Sequence, residues 1–384
     1  MTTLNYDTFF QLVRLGIGTS KDAEIPKEVD WIQLKALADM QGLSAVVLDG
    51  IDVLGSQSSK SQENPTQNLS DSQLSTLNPQ LKLEWIGEVL QGEQTYKLHQ
   101  EVATDMANLF HRNGIRTYVL KGRIVAGCYP KPEHRVSSDM DCFLVEEASS
   151  KFQASGSKGF DAWKLGNDLI RAKKFEVRDG FYKNSSFELP GLTVENHQFL
   201  TPFRGNERLA SLEKVLQALL RADKGEDIIE GTWLYRPPTM VSALFLIEHA
   251  YSHFLHEGLT WRMVLDWVLF KKKHKAEIDW SSFEAYIEEF GFQLFYNSFS
   301  RLGALLMGEI HETDLTKSEK KMLADVWAPL DLHETLHGVK GKLALAGNTW
   351  RARWKYRYFT DMNWIKALWI QVKGFLFIKH PKLN

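Results

Sequence analysis

The stretch that decides the fold is IRTYVLKGRIVAGCYPKPEHRVSSDMDCFLV, residues 115–145. Ile115 to Leu120 is a short, β-branched and aromatic run that stops at Lys121-Gly122, which predicts a strand ending in a glycine turn. Arg123 to Tyr129 supplies one or two helical turns, closed by Pro130 and Pro132. After a polar turn, Asp139 to Val145 alternates at its start and is apolar at its end, which predicts a second strand.

The chemistry starts from Asp139-x-Asp141. Side chains two apart on a strand project to one face, so both carboxylates aim at one point while Met140 and Cys142 enter the core. Converging carboxylates repel unless a cation lies between them, and oxygen ligation suits Mg²⁺, with Mn²⁺ as the alternative and phosphate oxygens completing the shell. Taken alone, the pair is weak evidence and reads first as two solvated carboxylates at a strand edge. Its neighbours change that reading. The Lys121-Gly122 turn opens a short helix whose amides can face a phosphate, and Arg135 offers a fork-shaped cation. Farther on, GLTVENHQFL at 191–200 predicts a third strand, with Glu195 and His197 on one face and Glu195 as a third carboxylate. Strand, glycine turn, helix, a strand with two acids and a strand with one is the layout that metal-assisted nucleotidyl transfer needs.

Outward from this segment the chain reads as helical. Residues 1–54 carry apolar side chains at three- and four-residue spacing, such as Phe9, Leu12 and Val13, then Trp31, Leu34 and Leu37. Residues 55–80 are Ser/Gln/Asn-rich with three bulky aliphatic residues, which predicts a flexible linker or loop. Helical spacing returns at Leu81 and stops at Asn113-Gly114. Residues 164–188 are polar and fit helix or strand, and from Leu209 onward the pattern is helical almost throughout. The expected organisation is an N-terminal helical region (1–54), a linker (55–80), an α/β core with its leading helix (81–208) and a C-terminal helical domain (209–384).

With 384 residues and 43% hydrophobic composition, the chain has enough apolar side chain for one large or two modest cores, which excludes a disordered chain. Its two cysteines, Cys128 and Cys142, exclude a disulfide framework or a cysteine-based zinc site as the organising device, so a reducing cytoplasm is the expected setting. Neither a signal-peptide pattern at the N-terminus nor an apolar run of about 18 residues is present, which argues against secretion and membrane spanning. The net charge of -2 hides an asymmetry: residues 339–384 carry ten Lys/Arg against Asp361 alone, a balance of +9 that leaves -11 on the rest. Within that tail, WRARWKYRYF (350–359) interleaves cations and aromatics. The plain reading buries the aromatics with cations at the rim; the alternatives are surfaces for RNA or for an anionic membrane.

The segment 119–145 resembles the uncharacterised nucleotidyltransferases known as nucleotidyltransferase family 5: a hydrophobic strand, Lys-Gly, a short helix, Tyr-Pro, an Arg, a small residue, then Asp-hydrophobic-Asp. Val194-Glu195-Asn196-His197 is similar to that family's next element. Asp30-Trp31 with Gln41-Gly42-Leu43, and the helices of 246–270, resemble its flanking regions. The resemblance implies an α+β fold, a small mixed-sheet polymerase-β-like core embedded in a largely helical chain, working on an NTP. Its implied catalytic and metal-holding residues are Asp139, Asp141 and Glu195, and its nucleotide-binding residues are Lys121, Gly122, Arg123, Arg135, Ser138 and His197. Two departures stand out: Arg123 follows Gly122 where other superfamily members carry serine, and Asn196 replaces an apolar residue.

The expected activity is Mg²⁺-dependent transfer of NMP to an acceptor hydroxyl, on a small molecule or glycan precursor because neither the catalytic insert nor most of the helical region is basic. Alternatives are an RNA- or protein-modifying relative, a glycosyltransferase using Asp-x-Asp with a nucleotide-sugar, and an inactive binding module. His249, His253 and His256 recur on one helical face, which fits packing, cleft lining or a zinc site. Arg262 and Asp266 are spaced as an i,i+4 helix pair.

Overall fold

Gly114 (φ 74°) and Gly122 (φ 68°) bracket the strand around which the protein is built. The computed structural model describes residues 3–60, 74, 76–147, 161–180, 182–223, 225–328 and 350–377. Three helices lead in: α1 (Thr3–Gly16), α2 (Trp31–Met40) and α3 (Ser44–Lys60). Gly16 and Gly50 let α1 and α3 touch backbone to backbone, since a Cβ at either would strike a carbonyl of the other helix. Helix α3 therefore carries ordered chain to residue 60, into the segment expected as a linker; 61–73 and 75 lie outside the described residues.

The 34-residue helix α4 (Pro79–Arg112) is capped by the Asn78 side chain and carries Pro79 at its first position, where the missing N–H costs nothing. It delivers the chain to β1 (Ile115–Val119), followed by α5 (Arg123–Ala126), β2 (Asp139–Glu146), α6 (Ala162–Ala172), β3 (Val177–Asp179), β4 (Asn184–Leu189), β5 (Leu192–His197), α7 (Glu207–Ala222), β6 (Glu226–Asp227) and β7 (Leu234–Arg236). The rest is helical: α8 (Thr239–His256), α9 (Trp261–Lys273), α10 (Trp280–Glu289), α11 (Gln293–Met307), α12 (Lys317–Trp327), α13 (Arg353–Phe359) and α14 (Trp364–Phe377).

The strands form one mixed sheet in the order β3-β4-β5-β2-β1-β7-β6. The centre is β5-β2-β1: β1 runs antiparallel to β2, and β2 parallel to β5 with Asp141 opposite Glu195 and Phe143 opposite His197. Cys142, Leu144 and Asn196 face α6 and α4, where Leu144 meets the Gly166 backbone and Asn196 bonds Asn167. Alternation turns Asp139, Asp141, Glu195 and His197 to the opposite face. The fold is thus α+β, a mixed sheet within a largely helical chain.

Two strands, β6 and β7, interrupt the segment read as helical from Leu209. They are two and three residues long, too short for a period of two to register, and β7 is a strand because β1 pairs with it. The ambiguous 164–188 segment divides into α6, then β3 and β4. No helix among the described residues is long and apolar enough to cross a membrane.

Candidate active site

Strand β2 presents Asp139, with its side chain 31% exposed, and Asp141, buried at 2%. Lys121, just past β1, reaches between them, its Nζ 3.0 Å from Asp141 Oδ2 and 3.6 Å from Asp139 Oδ2. The cation that two convergent carboxylates require is therefore supplied by the protein itself. From β5, His197 Nε2 lies 2.8 Å from Asp141 Oδ1 and 3.6 Å from Glu195 Oε2, while Asn184 Nδ2 donates to Glu195 Oε2 at 2.8 Å.

Charge follows geometry. Burial alone would raise the Asp141 pKa, but the Lys121 ammonium and the His197 hydrogen bond outweigh it and hold the carboxyl well below its ordinary value. Burial would likewise lower Lys121 and His197; the charges of Asp141 and Asp139 raise the first, and the hydrogen bond to Asp141 with the Glu195 carboxylate raises the second. Glu195 is lowered chiefly by the neighbouring His197.

The residues fit a divalent cation. Ligand atoms of Asp141, Glu195 and His197 lie within 4.8 Å of one another, the one such His/Cys/Asp/Glu trio among the described residues. Asp141 Oδ2 faces the Lys121 ammonium at 3.0 Å, and as a carboxylate oxygen it has a second lone pair with which to ligate a cation. Carboxylate oxygens suit Mg²⁺ or Mn²⁺, while His197 Nε2, engaged with Asp141 Oδ1, orients that carboxylate. Asp139 stands outside this trio but shares the Lys121 ammonium with Asp141 and also faces a cleft.

That cleft, about 300 Å³, opens between α4 and the turn after β1. Gly122, Lys121, Arg123, Ser137 and Asp139 line one wall, and Gln91, Thr95 and Tyr96 of α4 the other. Gly122 adopts φ 68°, ψ -94° as the residue before α5, and a Cβ there would come within 2.9 Å of Ser137 Oγ. Arg123 is tied to α4, donating to the Tyr96 carbonyl at 3.2 Å with its guanidinium 4.8 Å from the Tyr96 ring.

Other expected residues are placed differently. Arg135 lines the cleft but is buried, with Nε and Nη2 donating to Asp266 Oδ1 and Oδ2 at 3.0 and 2.7 Å. Tyr129 Oη donates to the same carboxylate at 2.7 Å. Asp266 is thus paired with Arg135, and Arg262, its expected i,i+4 partner, donates to the Val136 carbonyl at 2.8 Å. Ser138 is exposed, whereas its neighbour Ser137 lines the cleft and donates to the Asp139 carbonyl at 2.9 Å. Sequence reasoning passed over Ser137 because strand alternation says nothing of the turn before the strand. It also passed over Asn184, whose only signal was its place in the neighbouring strand.

His249 and His253 of α8 contact each other edge to face at 4.4 Å between ring centroids, and His253 Nδ1 lies 2.6 Å from Glu257 Oε2. Burial, and after it the Lys121 ammonium, hold His249 well below its ordinary pKa, so it flanks the site as a neutral ring.

No curated protein and no solved structure matches the chain. A family model described as uncharacterised nucleotidyltransferase matches residues 27–308, a span that takes in α2, the whole sheet, the carboxylates and the cleft. By that match over most of its length, the chain belongs to the uncharacterised nucleotidyltransferase family.

Proposed function

We propose that the protein is a Mg²⁺-dependent nucleotidyltransferase that moves NMP from an NTP to an acceptor hydroxyl on a small molecule or glycan precursor. The observation that carries this reading is the register of β2 and β5: Asp141 and Glu195 stand side by side, with Asp139 one alternation away at the mouth of a cleft that contains the Gly122 turn. In this reading Asp139, Asp141 and Glu195 would hold the divalent ion, which when bound would neutralise triphosphate charge and lower the pKa of the acceptor hydroxyl.

The chain's own residues do the rest. His197 fixes Asp141 by its hydrogen bond to Oδ1. Lys121 balances the carboxylates and, with the amides near Gly122 and the Arg123 guanidinium, meets the charge of the leaving group. Arg135, bound by Asp266, holds the cleft wall in place. The acceptor oxygen forms a bond to the α-phosphorus as the bond to the bridging oxygen breaks. Pyrophosphate leaves, and Glu195 takes the hydroxyl proton. The α4 wall contributes Glu88, Gln91, Thr95, Tyr96 and His99 and neither lysine nor arginine, which favours a compact acceptor over a polynucleotide.

Calorimetry with each NTP and Mg²⁺, on wild type and the Asp139→Ala/Asp141→Ala variant, tests the assignment. Binding by wild type and its loss in the variant is expected; equal binding, or none by either, overturns it. Release of pyrophosphate from an NTP, rather than nucleoside diphosphate from a UDP- or GDP-sugar, separates the reaction from glycosyl transfer.

A further inference from the structure

Helix α14 carries an apolar stripe on its outer side. Ile365 is 59% exposed, Trp369 62% and Val372 37%, and their i, i+4, i+7 spacing sets them on one face. The inner side is spoken for: Ala367 is buried, and the Trp364 ring meets Trp350 edge to face at 5.3 Å. Lys366 and Lys373 on α14 are exposed, as are Arg351, Arg353 and Arg357 beside α13 and on it. Arg353 also donates to the Trp350 carbonyl at 2.8 Å and Arg357 lies over the Tyr358 ring, while Lys355 pairs with Asp325 and Asp361 with Arg208.

We propose that α14 lies along an anionic bilayer surface, with the stripe seated at the acyl boundary and Lys366 and Lys373, which flank it on the same helix, against lipid headgroups. This inference is independent of the nucleotidyl reading. Cations flanking an apolar stripe that includes tryptophan are what such a surface recognises, each cation contributing through the negative surface potential. A helix of 14 residues spans about 21 Å, short of a hydrocarbon core of about 30 Å, so the helix lies on the membrane and does not cross it. Two other occupants fit less well. A second copy meeting the patch about a twofold axis would set the same cations against each other. Single-stranded RNA stacks bases on aromatic rings, whereas Ile365 and Val372 are aliphatic and offer no stacking face.

The test is flotation of the full chain with phosphatidylcholine vesicles, with and without about 30% phosphatidylglycerol. Wild type is compared with Ile365→Ser/Trp369→Ser and with Lys366→Glu/Lys373→Glu. Expected is binding to the anionic vesicles at least about tenfold stronger than to the neutral ones, falling at high salt and by about tenfold or more in each variant. All four positions are exposed, so circular dichroism and melting should match wild type. Absence of vesicle binding, equal binding to both compositions, or binding unchanged in both variants overturns the proposal. So does a concentration-dependent dimer, or RNA binding without vesicle binding, that the Ile365→Ser/Trp369→Ser variant abolishes.

Discussion

Lys121 and Asp141 form an ion pair at 3.0 Å in which the ammonium, 20% exposed, stands against a carboxylate only 2% exposed. The pair completes the charge balance of a site whose second carboxylate, Asp139, is 3.6 Å from the same nitrogen. Lys121→Met should leave Asp141 buried without its cation and cost roughly 3 kcal/mol, the low end for breaking a buried pair because the lysine keeps some solvent. If the trio holds a divalent ion, Mg²⁺ or Mn²⁺ should raise the melting temperature of Lys121→Met more than that of wild type, since the ion then replaces the missing charge. Equal metal-induced shifts would show that the ammonium and the ion do not compete for one place.

Gly122 meets two constraints at once, a positive φ and the Ser137 hydroxyl in the place a Cβ would crowd. Gly122→Ala should therefore destabilise by about 1–3 kcal/mol in urea unfolding and weaken nucleotide binding in calorimetry. Ser137→Ala relieves the crowding but not the dihedral angles, so the double variant should recover only part of the loss. Full recovery would mean that the backbone conformation is not strained.

Arg135 was legible in the sequence as an available cation but not as a committed one, because its partner lies 131 residues away. Asp266→Asn strips one side of this buried bidentate pair and should cost roughly 3–5 kcal/mol. Tyr129→Phe, which removes one hydrogen bond to the same carboxylate, should cost about 1 kcal/mol. Urea midpoints of the two variants check the ranking, and similar midpoints would contradict it.

His134 is held by carboxylates on both ring nitrogens, Nδ1 2.6 Å from Asp49 Oδ2 and Nε2 2.9 Å from Glu93 Oε1. Only the imidazolium can donate to both, and it ties α3 and α4 to the loop that leads to Arg135. Burial lowers its pKa, but the bonds to Asp49 and Glu93 outweigh that and the nearby Lys131 charge, so the folded value lies above the ordinary 6.5. A raised folded value means stability that is fully present below the unfolded pKa and lost as pH rises through the folded one. Wild type should exceed His134→Gln by about 1–2 kcal/mol near pH 6, with the gap closing at alkaline pH. A gap that does not vary with pH would contradict a charged ring.

How much of this could be read beforehand depended on whether a feature was local. Strands β1 and β2 and the Gly122 turn follow from a short apolar run, a glycine and an Asp-x-Asp alternation, all within 31 residues. Glu195 and His197 were also placed on one face by alternation alone, and Asn196, which departs from the family pattern, turns to the other face and bonds Asn167 and the Trp163 carbonyl. What escaped was tertiary. Strands β6 and β7 are too short to carry a period, Asp266 reaches away from its own helix, and the Ser137 hydroxyl is directed by the turn.

The two C-terminal helices should separate under truncation. Removing residues 350–384 takes away Tyr356 and Phe359, both nearly fully buried, and Lys355, whose Nζ donates to the Phe254 carbonyl at 2.6 Å and to Asp325 at 2.7 Å. Two buried aromatics at about 1.5–3 kcal/mol each, with an Asp325 carboxylate left unpaired, reach the total stability of an ordinary domain. That truncation should give insoluble protein or one without a cooperative melt. Removing 361–384 instead deletes the packing of Met362, Trp364 and Ala367 on the core and the exposed Arg208–Asp361 pair, worth about 0–1 kcal/mol, and should lower the melting temperature while keeping a cooperative melt. Similar melting of the two truncated proteins, whether both intact or both collapsed, would contradict the division of this segment into a core helix and a surface helix.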